Sequence, residues 1–175
     1  MRKGVLIAIG AIAFLAGCKS QQDSKYTIKL QPKWQGAPYH LAFGAPPAKP
    51  NPAGITIPVV KYTANPDMLE HRACLVVRFE PPAELASTQT VMNQVIMGPV
   101  DITGADGSLD PDYIAAADQA LARLLDVYKI KGKVKVQVLL ARPLLSSAGE
   151  SDIDQNKLSD WVATEVEYKK ARGKI

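Results

Sequence analysis

The stretch from Leu109 to Leu140 constrains the fold more than any other part of the chain. Asp110 is an N-cap residue, Pro111 takes the first helical position, where a missing N–H costs nothing, and Asp112 meets the positive end of the helix dipole. Leu109 and Ile114 are spaced for a hydrophobic staple across that cap. Ile114, Ala117, Leu121, Leu124, Leu125 and Tyr128 then fall on one face at helical spacing. Lys129 and Lys131 come at the negative end of the dipole, and Gly132 is the predicted stop. Residues 134–140 alternate, with Val134, Val136, Val138 and Leu140 on one face of a strand. A short strand at 100–103 and a turn at 104–109 precede the helix. Strand, helix and strand read together as a right-handed βαβ unit. Such a helix must bury its apolar face on a sheet, which predicts an α+β fold: a mixed β-sheet with two or three helices. The alternative arrangement is a β-rich, sandwich-like N-terminal part with a helical C-terminal part.

The flanking sequence carries weaker signals. Residues 74–79, Cys74 to Phe79, predict a strand ended by Pro81 and Pro82. Residues 84–96 show a faint helical period through Leu85, Met92 and Ile96, stopped by Gly98 and Pro99. Leu158, Trp161, Val162 and Val166 predict a final helix, followed by a basic tail at 169–174. The segment 25–66 differs from all this, because eight of the 13 prolines lie between Pro32 and Pro66. Two runs inside it, 26–30 and 55–63, alternate as strands do, with Pro58 making the second an edge or bulged strand. Residues 44–54 between them predict a stiff, partly polyproline II loop.

At 175 residues, 47% hydrophobic and 22% charged, the chain can bury one domain core, and wholesale disorder is excluded. Its beginning reads as a targeting segment. Arg2 and Lys3 form a positive n-region ahead of an apolar run at 4–15. That run is too short to cross a bilayer of about 30 Å as a helix. Loss of Arg2 and Lys3 from the 21 basic residues leaves 19 against 17 acidic ones, so the mature chain is near neutral. Phosphate binding needs a clustered basic face, and nucleic acid is therefore not an expected partner.

The apolar run ends in Leu15-Ala16-Gly17-Cys18. This resembles the lipobox of bacterial lipoproteins. The resemblance implies that Cys18 is linked by a thioether to diacylglycerol, acylated on its new amino group and becomes the first residue. Lys19 at the next position implies the outer membrane, with the protein facing the periplasm. Residues 1–17 are then a lipoprotein signal peptide, 18–24 a lipidated tether and 25–175 a single globular domain. That domain has a proline-rich part at 25–66 and a regularly alternating part at 74–175. With Cys18 lipidated, Cys74 has no partner in the chain, so no disulfide is expected despite the oxidising compartment.

The order of elements in residues 100–174 also resembles the OmpA-like, peptidoglycan-associated domain. That family has a helix with the pattern N-x-x-L-S-x-x-R-A-x-x-V, against which this chain sets Gln155, Leu158, Ser159, Val162, Ala163 and Val166. The family's aspartate after the preceding strand falls on Ala141, and its arginine on Val162. In the family those two charges hold the diaminopimelate group of peptidoglycan. With both replaced, the resemblance implies a degenerate relative with weak peptidoglycan contact.

Chemistry-bearing groupings are few. Met68, His71 and Cys74 are spaced by three, and thioether, imidazole and thiolate together suit Cu(I). Cys74 opens an apolar strand, however, where a free cysteine acts as a small hydrophobe, so no metal site is assigned. Asp101, Asp106, Asp110 and Asp112 fail the EF-hand spacing and read as turn and cap residues. No G-x-S-x-G, H-E-x-x-H, P-loop or G-x-G-x-x-G occurs, and no cofactor is expected. Glu165 and Glu167 fall on opposite sides of the predicted last helix. Trp161 reads as packing, and Trp34, beside the turn signal of Gln35 and Gly36, as an exposed partner contact. The expected function is a non-catalytic binding or assembly component of the cell envelope. It would be anchored in the bilayer through Cys18 and engage an envelope protein partner. The alternatives are the degenerate peptidoglycan-associated lipoprotein and an envelope hydrolase. An exposed concave pocket with a perturbed acid or histidine would favour the hydrolase, and a shallow surface with an apolar patch the binding module.

Overall fold

Local signals at 109–128 fold as they read. In the structure, a computed structural model describing residues 36–87 and 90–170, the Asp110 carboxylate accepts the Asp112 N–H at 2.9 Å. The helices are α1 (Ala83–Ala86), α2 (Pro111–Val127) and α3 (Glu150–Asn156). The strands are β1 (Tyr39–Phe43), β2 (Val60–Ala64), β3 (Arg72–Phe79), β4 (Gln94–Asp101), β5 (Asp106–Ser108), β6 (Gly132–Ala141) and β7 (Val162–Tyr168). Helix α2 buries Ile114, Ala117, Leu121 and Leu125, as its spacing predicts, and also Asp118 and Ala122. Its stop is not Gly132. Lys129 adopts φ +57°, its N–H donates to the Asp126 carbonyl at 3.1 Å, and the Ile130 N–H donates to the Leu125 carbonyl at 2.9 Å. This is a Schellman closure with lysine where glycine is usual, and Gly132 instead opens β6.

The strands form two sheets, ordered β1-β2-β5 and β4-β3-β6-β7. The α+β class holds, and every ladder between these strands is antiparallel. The expected βαβ unit is split. Strands β4 and β6 run the same way and are joined through α2, but β3 lies between them and pairs with both. The reason is the burial of β3 on both faces. Ala73, Leu75, Val77 and Phe79 enter the main core with α2, while Val76 packs with Leu139, Ala141 and Ile153 on the other face. A strand with two apolar faces belongs inside a sheet. Strand β6 follows its predicted alternation, with Val134, Val136, Val138 and Leu140 inward.

The predicted last helix is a strand, and the helix predicted over 84–96 is mostly absent from the described residues. Residues 162–168 form β7, with Val162, Val166 and Tyr168 packed on the core and Glu165 and Glu167 exposed together on the outer face. Leu158, Val162 and Val166 are four apart, a spacing that satisfies both a helix and a strand. The β-branched Val162, Thr164 and Val166 decide for the strand. Among the described residues of 84–96 only the single turn α1 is helical, and β4 begins at Gln94. Gly98 and Pro99 do not stop a helix; they form a bulge in edge strand β4 opposite Cys74. The predicted run 55–63 is strand only from Val60 onward, although Ile55 and Ile57 are fully buried. The run 26–30 lies outside the described residues.

Candidate functional site

The proline-rich loop and the first half of α2 enclose a cleft of about 350 Å³. Its walls are apolar: Pro50, Ile57 and Val59 from the loop, and Leu109, Pro111 and Ile114 from the start of the helix. The loop cannot pair as a strand at Pro58, so its backbone groups need other partners. Asp118 of α2 supplies them. Its Oδ1 accepts the Ile57 N–H at 3.0 Å, and its Oδ2 accepts Asn51 Nδ2 at 3.0 Å. Asn51 Nδ2 also donates to the Ala115 carbonyl at 3.2 Å, and the Asn51 N–H donates to Thr56 Oγ1 at 2.9 Å. One acid thereby fastens a loop of stiff residues to a helix more than sixty positions away in the chain.

Asp118 is 2% exposed and lies on the cleft wall. Burial pushes its carboxyl up to about 6, against the lowering effect of the bonds from Ile57 and Asn51. Lys49 and Asp112, both exposed, are the other charged groups lining the cleft. On the β7 side of the same loop lies a second hollow of about 550 Å³, where Pro46 and Pro58 face Glu165, Glu167 and Lys169. Comparison with known protein families, characterised proteins and solved structures finds no match to this chain.

The residues singled out in the sequence do not meet at this cleft. Cys18 and Trp34 lie outside the described residues. Met68 is half-exposed at the end of a 3-10 turn, Pro66–Met68, and His71 is exposed just before β3. No helix forms across 68–74, so the shared face that would align Met68, His71 and Cys74 does not exist. Cys74 is buried on β3, where its Sγ accepts the Leu144 N–H at 3.3 Å. Among the described residues no three His, Cys, Asp or Glu side chains gather as a metal site. Trp161 packs against Val76, Leu139, Ala141 and Ile153, with the Arg78 guanidinium 3.9 Å from its ring centre, a cation–π contact. Ala141 ends β6 and Val162 opens β7, so the helix implied by the peptidoglycan-associated pattern is not formed at 162–166.

Asp118 and Asn51 were missed, although one signal was present. Asp118 sits four residues after Ile114 and three before Leu121, inside the apolar stripe. An acid there must be buried, and a buried acid needs donors.

Proposed function

We propose that this chain is a lipid-anchored periplasmic binding protein. It is held to the inner leaflet of the outer membrane by Cys18 and presents the cleft beneath its proline-rich loop to a ligand or envelope partner. The observation that supports binding is the cleft itself: apolar walls, a few converging polar groups, and a rim of prolines that hold it open without ordering cost. The leader and Leu15-Ala16-Gly17-Cys18 support the location. Three acyl chains would anchor the protein far more firmly than one, which binds only marginally.

The raised acid in a concave site is what an envelope hydrolase would also carry. Binding is the better reading because the cleft lining contains no serine, cysteine or histidine to act with Asp118, and the one hydroxyl there, Thr56 Oγ1, already accepts the Asn51 N–H. Crosslinking in intact cells from photoreactive residues at Lys49 and Gln119, in the wild-type chain and in Cys18→Ala, tests the proposal. Specific crosslinks that depend on the anchor support it. Turnover of ester or peptide substrates by the purified chain, lost in Asp118→Asn with the fold intact, would replace it with the hydrolase.

A further inference from the structure

Asp118 is buried without a counter-charge. It forms no ion pair with any described residue, and its two partners, a backbone amide and an asparagine, are neutral. A carboxylate offers about four acceptor positions, two on each oxygen. One position is used on Oδ1 and one on Oδ2, which leaves one on each. The ionised form therefore sits in an apolar wall with acceptor capacity unspent and no cation paired to it, an arrangement that a buried charge normally avoids. The other charged groups lining the cleft are the exposed Lys49 on the loop and the exposed Asp112 in the first turn of α2, and neither is paired to Asp118.

We infer that the cleft binds a small organic ammonium ion, a primary amine on an apolar body, with the ammonium paired to Asp118 and the body against Ile57, Leu109 and Ile114. A volume of about 350 Å³ lies at the lower end of small-molecule sites, which run roughly from 300 to 1,000 Å³. An indole-sized body is in keeping with that. The ammonium supplies the missing charge and the N–H donors for the open acceptor positions. A ligand carboxylate would meet Asp118 and be repelled, and a neutral isostere would leave the charge unpaired. The inference rests on the cleft being the ligand site and is independent of the lipid anchor.

The test is equilibrium dialysis of the full chain in detergent micelles, against micelles alone. Tryptamine is compared with tryptophol, its neutral isostere, at pH 7 and pH 5. Tryptamine is expected to bind saturably at one site. Its affinity should fall roughly tenfold at pH 5, because only about a tenth of Asp118 is ionised there while the amine keeps its charge. Tryptophol should bind at least roughly tenfold more weakly at pH 7 and show no pH dependence. Ala115→Leu, which fills the cleft from a helix position and keeps the backbone carbonyl that Asn51 uses, should abolish binding with the unfolding midpoint unchanged. Equal binding of tryptamine and tryptophol overturns the ammonium assignment and leaves an apolar site. Saturable tryptamine binding that survives Ala115→Leu, or no saturable binding of either probe, overturns the assignment of the cleft. None of these results bears on the anchor, which partitioning tests separately.

Discussion

Replacing Asp118 with asparagine should change how stability depends on pH. The carboxyl lies at about 6 in the folded chain and near 3.8 when unfolded. Because the folded value is the higher one, the protonated form is the one the fold favours. The contribution is fully present below about pH 4, is lost as pH rises through about 6, and stays lost above that. A gap of about two pH units corresponds to at most about 3 kcal/mol. Solvent screening at the cleft wall reduces this, so about 2 kcal/mol is the expected size. Asp118→Asn keeps an oxygen for the Ile57 N–H but sets its own amide against Asn51 Nδ2, a loss of about 1 kcal/mol that is independent of pH. The assay is urea denaturation of both chains from pH 3.5 to pH 7.5 at constant m-value. The stability of wild type minus that of the variant should fall by about 2 kcal/mol across this range. Curves that stay parallel throughout would show that Asp118 is not the buried acid described, and the reasoning about the cleft would go with it.

Three further outcomes follow from the fold. Lys129→Gly relieves a left-handed residue in the Schellman closure of α2 and should stabilise the chain by about 1 kcal/mol in the same denaturation assay. Gly98→Ala should destabilise by about 1–3 kcal/mol, because φ is +146° and a Cβ would stand 3.1 Å from Cys74 Cα and 3.2 Å from the Ala73 carbonyl oxygen, both backbone atoms of the central strand. Cys74 is 3% exposed, so thiol reagents should label it only on addition of denaturant, and fast labelling of the folded chain would contradict its burial on β3.

What could be read in advance depended on whether the determining contacts were local. The cap at Asp110, the stripe of α2 and the alternation of β6 are each settled within a few residues, and all three formed. The last element reads as a helix because Leu158, Val162 and Val166 satisfy both periods, and only the β-branching of Val162, Thr164 and Val166 separates them. The place of β3 between β4 and β6 is a matter of which edges meet, and local patterning does not encode that. The cleft was hidden for a related reason. Asp118 is conspicuous in its stripe, but its partners Asn51 and Ile57 lie in a segment whose prolines read only as a stiff connector. Nothing near Asn51 in the chain announces a bond to a helix 67 positions later.

The proposed lipid anchor is tested most directly by the mass of the amino-terminal peptide of the mature chain isolated from cells. The prediction is a peptide beginning at Cys18 that carries a thioether-linked diacylglycerol and an amide-linked acyl chain, and its replacement in Cys18→Ala by an unprocessed or water-soluble form. A mature peptide with an unmodified Cys18 thiol would contradict it, as would a wild-type chain that partitions into the aqueous phase of a detergent separation.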